Sequence, residues 1–241
     1  WSLREISFGV TIYGVLAALL APVFGSLADR HGVRPVALWS LFAFALAFAC
    51  FGLTPASLIG FYAIWFLVGL VGIGSTPVTW SRAVNLWFFR NRGLALGITL
   101  MGTSVAAMGL PLLTVYLINT VGWRLTYPLL ALLPLLVALP VGYAVFREPR
   151  DDERPPQLSA SDGSGKAVLS GMSLREAFAS YRFWLMFVSI LAVAFAYGGA
   201  HIHMPSIITG HGFSREQAAQ GMSLLGLSIL GGRVITGFLL D

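Results

Sequence analysis

The chain has 241 residues, of which 57% are hydrophobic and 10% charged, with a formal net charge of +5. Soluble domains carry about 25% charged residues, so a water-soluble globular class is excluded. The basic excess fits positively charged membrane loops, because no basic patch interleaved with aromatics points to nucleic acid.

Residues 35–81 contain no Asp, Glu, Lys or Arg, enough for two membrane crossings of roughly 20 residues each. Seven apolar segments follow in chain order: 6–28, 36–53, 58–81, 93–116, 125–146, 183–208 and 218–240. Irregular backbone and open sheet edges cannot face lipid, so each is expected to be a helix. The predicted fold class is an all-α polytopic membrane helix bundle. Short connectors are expected at 29–35, 54–57 and 122–124. Pro77, Pro111, Pro134 and Pro140 are read as kinks, and Gly69, Gly72 and Gly74 as places where helices touch closely. Cys50, the single cysteine, excludes an internal disulfide and reads as a packing residue.

Residues 147–182 differ. Charged and proline residues at 147–156 and a Ser/Gly stretch through Gly165 read as a flexible linker. Its end, Ser173–Phe178, reads as a short amphipathic helix on the membrane surface. The expected organisation is a five-span half (1–146), the linker (147–182) and the start of a second half (183–241). With no initiator Met, and an end at Asp241 directly after an apolar run, the chain reads as an internal piece of a longer protein.

Alternating sides, the face holding 29–35, 82–92 and 147–182 carries Arg30, Arg34, Arg90, Arg92, Arg147, Arg150, Arg154, Lys166, Arg175 and Arg182. The other carries Arg4, Arg124 and Arg215. Basic residues mark the cytoplasmic side, which places the linker in the cytoplasm and residue 1 outside. The expected location is a bacterial inner membrane. A shift of 212 residues superimposes Ser2, Gly9, Gly14, Gly25, Leu27 and Asp29 on Ser214, Gly221, Gly226, Gly237, Leu239 and Asp241. Both copies lie on a helix running from outside to inside. Parallel repeats of this kind suit a transporter whose halves rock around a central site.

Asp29 at a helix carboxyl end opposes the helix dipole and needs a partner, either an arginine or another helix's amino end. Gly25 is expected to let that neighbour approach. Such a pair is a latch, made in one conformation and broken in another. All ten acids lie outside the apolar runs or at their ends, whereas Arg82 and Arg233 lie within or just inside one. An intramembrane arginine is costly and is by default paired or functional. Two guanidinium groups at similar depth favour an anionic ligand held bidentately.

The segment Gly25-Ser26-Leu27-Ala28-Asp29-Arg30-His31-Gly32-Val33-Arg34 resembles the loop motif between the second and third helices of the major facilitator superfamily. Gly237–Asp241 resembles the start of its matching motif after the eighth helix. The resemblance implies helices two to eight of a twelve-helix transporter, with Gly25, Asp29, Arg30, Gly32, Arg34, Gly237 and Asp241 in the latch. Trp87-Phe88-Phe89-Arg90-Asn91-Arg92-Gly93-Leu94-Ala95-Leu96-Gly97 resembles the fourth-to-fifth helix signature of monocarboxylate-porter-like and oxalate/formate-antiporter-like members. Gly122-Trp123-Arg124 and Phe146-Arg147-Glu148-Pro149 are similar to the same branch. On that likeness Arg233 matches the eighth-helix arginine that binds the substrate carboxylate. Ile229 stands where eukaryotic porters carry an acid, so their proton-coupling scheme is not implied.

His201 and His203 are candidates for a proton relay or outer gate. Two residues apart on a helix they face different ways and make a poor metal pair. Tyr13 and Tyr197, with Tyr116 and Tyr127, offer hydroxyls to a carboxylate, although belts and packing account for most membrane tyrosines. No metalloprotease motif, intramembrane aspartate pair or phosphate loop occurs. Gly69–Gly74 mimics a dinucleotide loop but lies within an apolar run, where helix packing explains it. No enzyme activity, metal or cofactor is expected. The predicted function is secondary transport of a small organic anion by alternating access, coupled to a proton or counter-anion. A carrier of another solute, or a sensor on the same scaffold, is the alternative.

Overall fold

In the computed structural model, residues 1–88, 91–150, 153 and 174–239 are described. Among them there is no strand. The helices are α1 (Leu3–His31), α2 (Val33–Ala49), α3 (Leu58–Gly72), α4 (Pro77–Trp87), α5 (Arg92–Leu133), α6 (Leu139–Val145), α7 (Leu174–Ala179), α8 (Tyr181–Gly210) and α9 (Arg215–Leu239). A 3₁₀ turn (Cys50–Leu53) closes α2, another (Ile73–Ser75) links α3 to α4, and a π turn (Pro134–Ala138) links α5 to α6.

Over the described residues, the seven apolar segments are almost wholly helical. Two of them merge into the 42-residue α5, but Gly122 breaks that run with φ 79° and ψ 162°. Only glycine adopts this conformation without strain. Two limbs result, 92–121 and 123–145, each long enough to cross a bilayer. Large side chains face outward: Phe195 is 77% and Ile190 70% exposed, and no residue of α8 is buried. Water would not tolerate an apolar surface of this extent, so it belongs in lipid. The chain is an integral membrane protein.

Two connectors are shorter than their polar composition predicts. Instead of a loop over 29–35, α1 continues through Asp29 and Arg30 to His31, and α2 begins at Val33. Gly32 alone turns the chain, at φ 90°. The reversal is possible because the exposed amino end of α2 is satisfied elsewhere: the Arg34 N–H donates to Glu148 Oε1 at 2.7 Å. A carboxylate there also meets the positive end of the helix dipole. The connector expected at 122–124 likewise reduces to Gly122, while Arg124 Nη1 donates to Thr54 O at 3.3 Å.

The expected small-residue contacts are present. A Cβ added to Gly69 would lie 2.8 Å from Leu16 of α1, and one on Gly72 would lie 2.7 Å from Phe44 of α2. The Gly69–Gly74 stretch therefore packs α3 on its neighbours. Phe51, Phe61, Val68 and Ala47 form a buried core there, joined by Tyr13, Trp65 and Tyr127.

Both copies of the internal repeat open on the same local device. Ser2 and Glu5 form a capping box at the start of α1. Ser214 and Gln217 do so at α9, with Ser214 N–H donating to Gln217 Oε1 at 2.9 Å and Gln217 N–H to Ser214 Oγ at 3.2 Å. The shift of 212 residues relates the two boxes. Each satisfies two otherwise orphaned amide donors at a helix start.

Candidate functional site

Three groups of candidate residues separate in space. The first lies where α1 meets α4. Asp29 and Arg82 form an ion pair, and Arg82 Nη1 also donates to Gly25 O at 3.4 Å. The pair compensates the carboxylate at the unfavourable helix end. Arg82 is thereby paired with Asp29, shares no contact residue with Arg233, and its charge is matched. The expectation for Gly25 needs correction: an added Cβ would be 3.9 Å from Arg82 Nη1, ordinary contact, so no close approach depends on this glycine. Its carbonyl is what Arg82 uses.

Around this pair the other motif residues are held by backbone and aromatic contacts. Arg34 Nη2 donates to Tyr143 O at 2.7 Å, and its guanidinium lies 5.5 Å from the Tyr143 ring centre. Arg30 is exposed. Trp87 Nε1 donates to Arg147 O at 3.2 Å, and Arg147 stacks over the Trp87 ring at 4.8 Å. Arg147 also binds Glu153 through two bonds of 2.5 and 2.8 Å. These bonds, with the Arg150 N–H, hold the Glu153 carboxyl down at about 2. Asp241 and Arg90 lie outside the described residues.

The second group lies on a seam between α5 and α9, which run antiparallel in close contact. A Cβ on Gly237 would come within 3.2 Å of Gly93 O, and one on Gly97 within 3.1 Å of Arg233 O. Near the middle, a Cβ on Gly226 would lie 2.7 Å from Met108 N. At the far end Asn119 Nδ2 donates to Glu216 Oε1 at 3.1 Å. Arg233 sits inside this seam. Its Nη1 bonds Leu100 O, Thr103 Oγ1 and Ser104 Oγ, the last at 2.9 Å. All three partners are neutral, and no carboxylate lies within ion-pair distance of Arg233 among the described residues.

The third group lines a cavity of about 510 Å³ between α5, α8 and α9, which includes His201 and Arg215 with the hydroxyl residues Thr114 and Ser206. Tyr197 stacks on His201 with ring centres 5.1 Å apart and 17° between planes, and its hydroxyl lies 3.3 Å from Nδ1. His203 is partly buried next to this pair in sequence. Tyr13 belongs elsewhere, edge-on to Trp65 in the aromatic core. Tyr127 meets Phe48 and Phe51 in that core, and Tyr116 is 65% exposed.

Three contacts in and around these groups carry little or no local sequence signal. Glu148, which caps α2, lies 114 residues from the Arg34 N–H it accepts from. Thr103 and Ser104 carry the weak signal of two hydroxyls in an apolar run. Asn119 paired with Glu216 spans 97 residues and leaves no local pattern.

Comparison with known proteins agrees with this architecture. A protein named MFS-type transporter pytF from Aspergillus terreus is 30% identical over 159 residues, 66% of this chain and 50% of that protein. The multidrug export protein EmrB of Escherichia coli is 28% identical over 145 residues, 60% of this chain and 26% of its own. The putative niacin/nicotinamide transporter NiaP of Bacillus subtilis is 24% identical over 249 residues, covering 100% of this chain and 59% of NiaP. The chain thus spans between a quarter and three fifths of these relatives' lengths. The family model for the Major Facilitator Superfamily matches residues 1–241, and the chain belongs to that superfamily of membrane transporters.

Proposed function

We propose that the protein is a secondary transporter of a small organic anion, a mono- or dicarboxylate, working by alternating access, with a proton or counter-anion as its coupling ion. The observation that carries this reading is Arg233. It is a permanently charged group within an apolar helix, bonded to a carbonyl and two hydroxyls and left with its charge uncompensated among the described residues. Burying such a charge is costly, and an anionic ligand offsets that cost. Thr103 and Ser104 hold the guanidinium in the seam, and a carboxylate held bidentately would compete with them for its N–H groups.

In this scheme Arg82 belongs with Asp29 in the latch, and His201 with Tyr197 forms an outer gate. The resemblance of residues 87–97 to the monocarboxylate-porter-like and oxalate/formate-antiporter-like branch supports the same substrate class. The linker is assigned to the cytoplasm on the basic residues it shares with 29–35 and 82–92. Transport of uncharged or varied solutes is the second reading, favoured by the multidrug name of one relative.

The test is carboxylate binding by the purified full-length protein. Arg233→Ala and Arg233→Lys should both weaken it, since an ammonium does not reproduce the planar fork. The expected loss is about 2–5 kcal/mol, roughly 30- to 4000-fold. Near-native affinity in both folded variants removes Arg233 from the site. Flux of neutral amides at the rate of the matching acids would favour the second reading.

A further inference from the structure

A cavity of about 610 Å³ lies between α2 and α6, reaching the motif residue Arg34 at one end and otherwise outside the three groups. Leu38, Trp39 and Phe42 form one wall, and Leu139, Pro140 and Tyr143 the other. Trp39 and Tyr143 are each 71% exposed, so the groove opens outward. From Arg34 to Phe42 it runs about 12 Å along the helix. A Cβ on Gly142 would come within 2.9 Å of Leu38, so this glycine sets the close approach of the two helices beside it.

One end of the groove is cationic. Arg34 lines it, and the Arg34 guanidinium has no carboxylate within ion-pair distance among the described residues. Its Nη2 is spent on a neutral carbonyl, and its Nε–H is buried with no partner. The neighbouring Glu148 carboxylate is directed at the Arg34 backbone N–H. A half-buried cation without an acid partner beside an apolar trough calls for a ligand with an anionic head and a hydrocarbon tail.

We propose that this groove holds an anionic diacyl phospholipid, its phosphate on Arg34 and one acyl chain along Leu38, Trp39, Phe42 and Pro140. Charge complementarity selects the anionic class. The groove lies on the lipid-facing surface, so the occupant arrives from the leaflet that bathes the Arg34 end. Arg34 lies in the first turn of α2, two residues after Gly32, and the bound lipid steadies the turn that follows the Asp29 latch residue.

The full-length transporter would be placed in nanodiscs of phosphatidylcholine doped with phosphatidylglycerol carrying a photoreactive acyl chain. Adducts mapped by peptide mass spectrometry should concentrate in residues 35–42 and 139–143. Excess phosphatidylglycerol should displace them, and excess phosphatidylcholine should not. Adducts spread evenly over all spans, or equal displacement by both lipids, would overturn the proposal using wild-type protein alone. Arg34→Gln should lower the groove adducts about fivefold, the loss of one basic contact worth about 1 kcal/mol at a membrane surface. Leu139→Trp, which fills the trough without touching the cation, should abolish them. Unchanged yield in either folded variant would also refute it. None of these readouts depends on Arg233 or on the transported solute.

Discussion

Asp29 and Arg82 allow the latch idea to be tested apart from ligand binding. The two side chains are 59% and 41% exposed, so screening limits what the pair contributes. Exposed ion pairs contribute about 0.2–1 kcal/mol, which is up to about fivefold in the balance between two conformations. Arg82 also holds the Gly25 carbonyl, so removing the arginine should cost slightly more than removing the acid. The experiment is a double-mutant cycle in the full-length protein with Asp29→Asn, Arg82→Gln and the combination. Turnover would be measured in proteoliposomes and carboxylate affinity at equilibrium. If the pair acts on interconversion, each single variant alters turnover, the double variant is no worse than Arg82→Gln, and Kd stays near wild type. Strictly additive effects would show that the two groups do not act together. Wild-type flux in all three variants would remove the latch. A raised Kd confined to Arg82→Gln would return Arg82 to the ligand.

Other expectations are simpler to state. Gly226→Ala should destabilise the purified protein by about 1–3 kcal/mol, the usual penalty for overpacking, because its Cβ would be 2.7 Å from Met108 N. Gly231→Ala, which meets nothing within 4 Å, should be neutral, and equal melting of the two would refute the seam. Glu148→Gln should lower thermal stability more than Glu153→Gln, since only Glu148 caps a helix; the reverse order would refute the capping role. A cysteine introduced in 155–165, with Cys50 replaced by serine, should react with impermeant reagents only from the cytoplasmic side. Labelling from outside intact cells would invert the topology.

The spans were legible because membrane burial is written in long runs without charge, and neither packing detail nor propensity alters that. Their ends were less so. Asp29, Arg30 and His31 look like loop residues, yet a helix can carry polar groups past the apolar boundary until a glycine permits the turn. Gly32 supplies φ 90°, and the acid that satisfies the next helix lies at position 148. Arg82 shows the same limit at the site. Depth along one helix identified it as a buried cation, but depth does not say which neighbour it faces. The required partner of Asp29 was deduced as an arginine or a helix end. Which arginine depends on how α1 and α4 come together, with 52 residues of chain between the pair.

The seam explains how a carboxylate at Arg233 could be linked to movement. Arg233 lies between two kinds of closure on the same pair of helices. On one side glycines bring α5 and α9 together near Gly97 and Gly237; on the other, Asn119 holds Glu216. With the guanidinium turned onto Leu100, Thr103 and Ser104, it binds across the seam and acts as a tie between the helices. A carboxylate that takes two of its N–H groups competes with that tie, so on the proposed reading binding weakens the contact that keeps the helices together. The ligand then has different affinities for the closed and open arrangements, which is the condition for it to shift their populations. Thr103→Val with Ser104→Ala separates this coupling from plain binding. Loss of the hydroxyls should free Arg233, leaving carboxylate affinity equal or tighter while reducing the ligand-induced change in α5–α9 distance, measured between spin labels. Weaker binding with an unchanged distance response would mean that the hydroxyls contact the ligand directly and that Arg233 is not the tie.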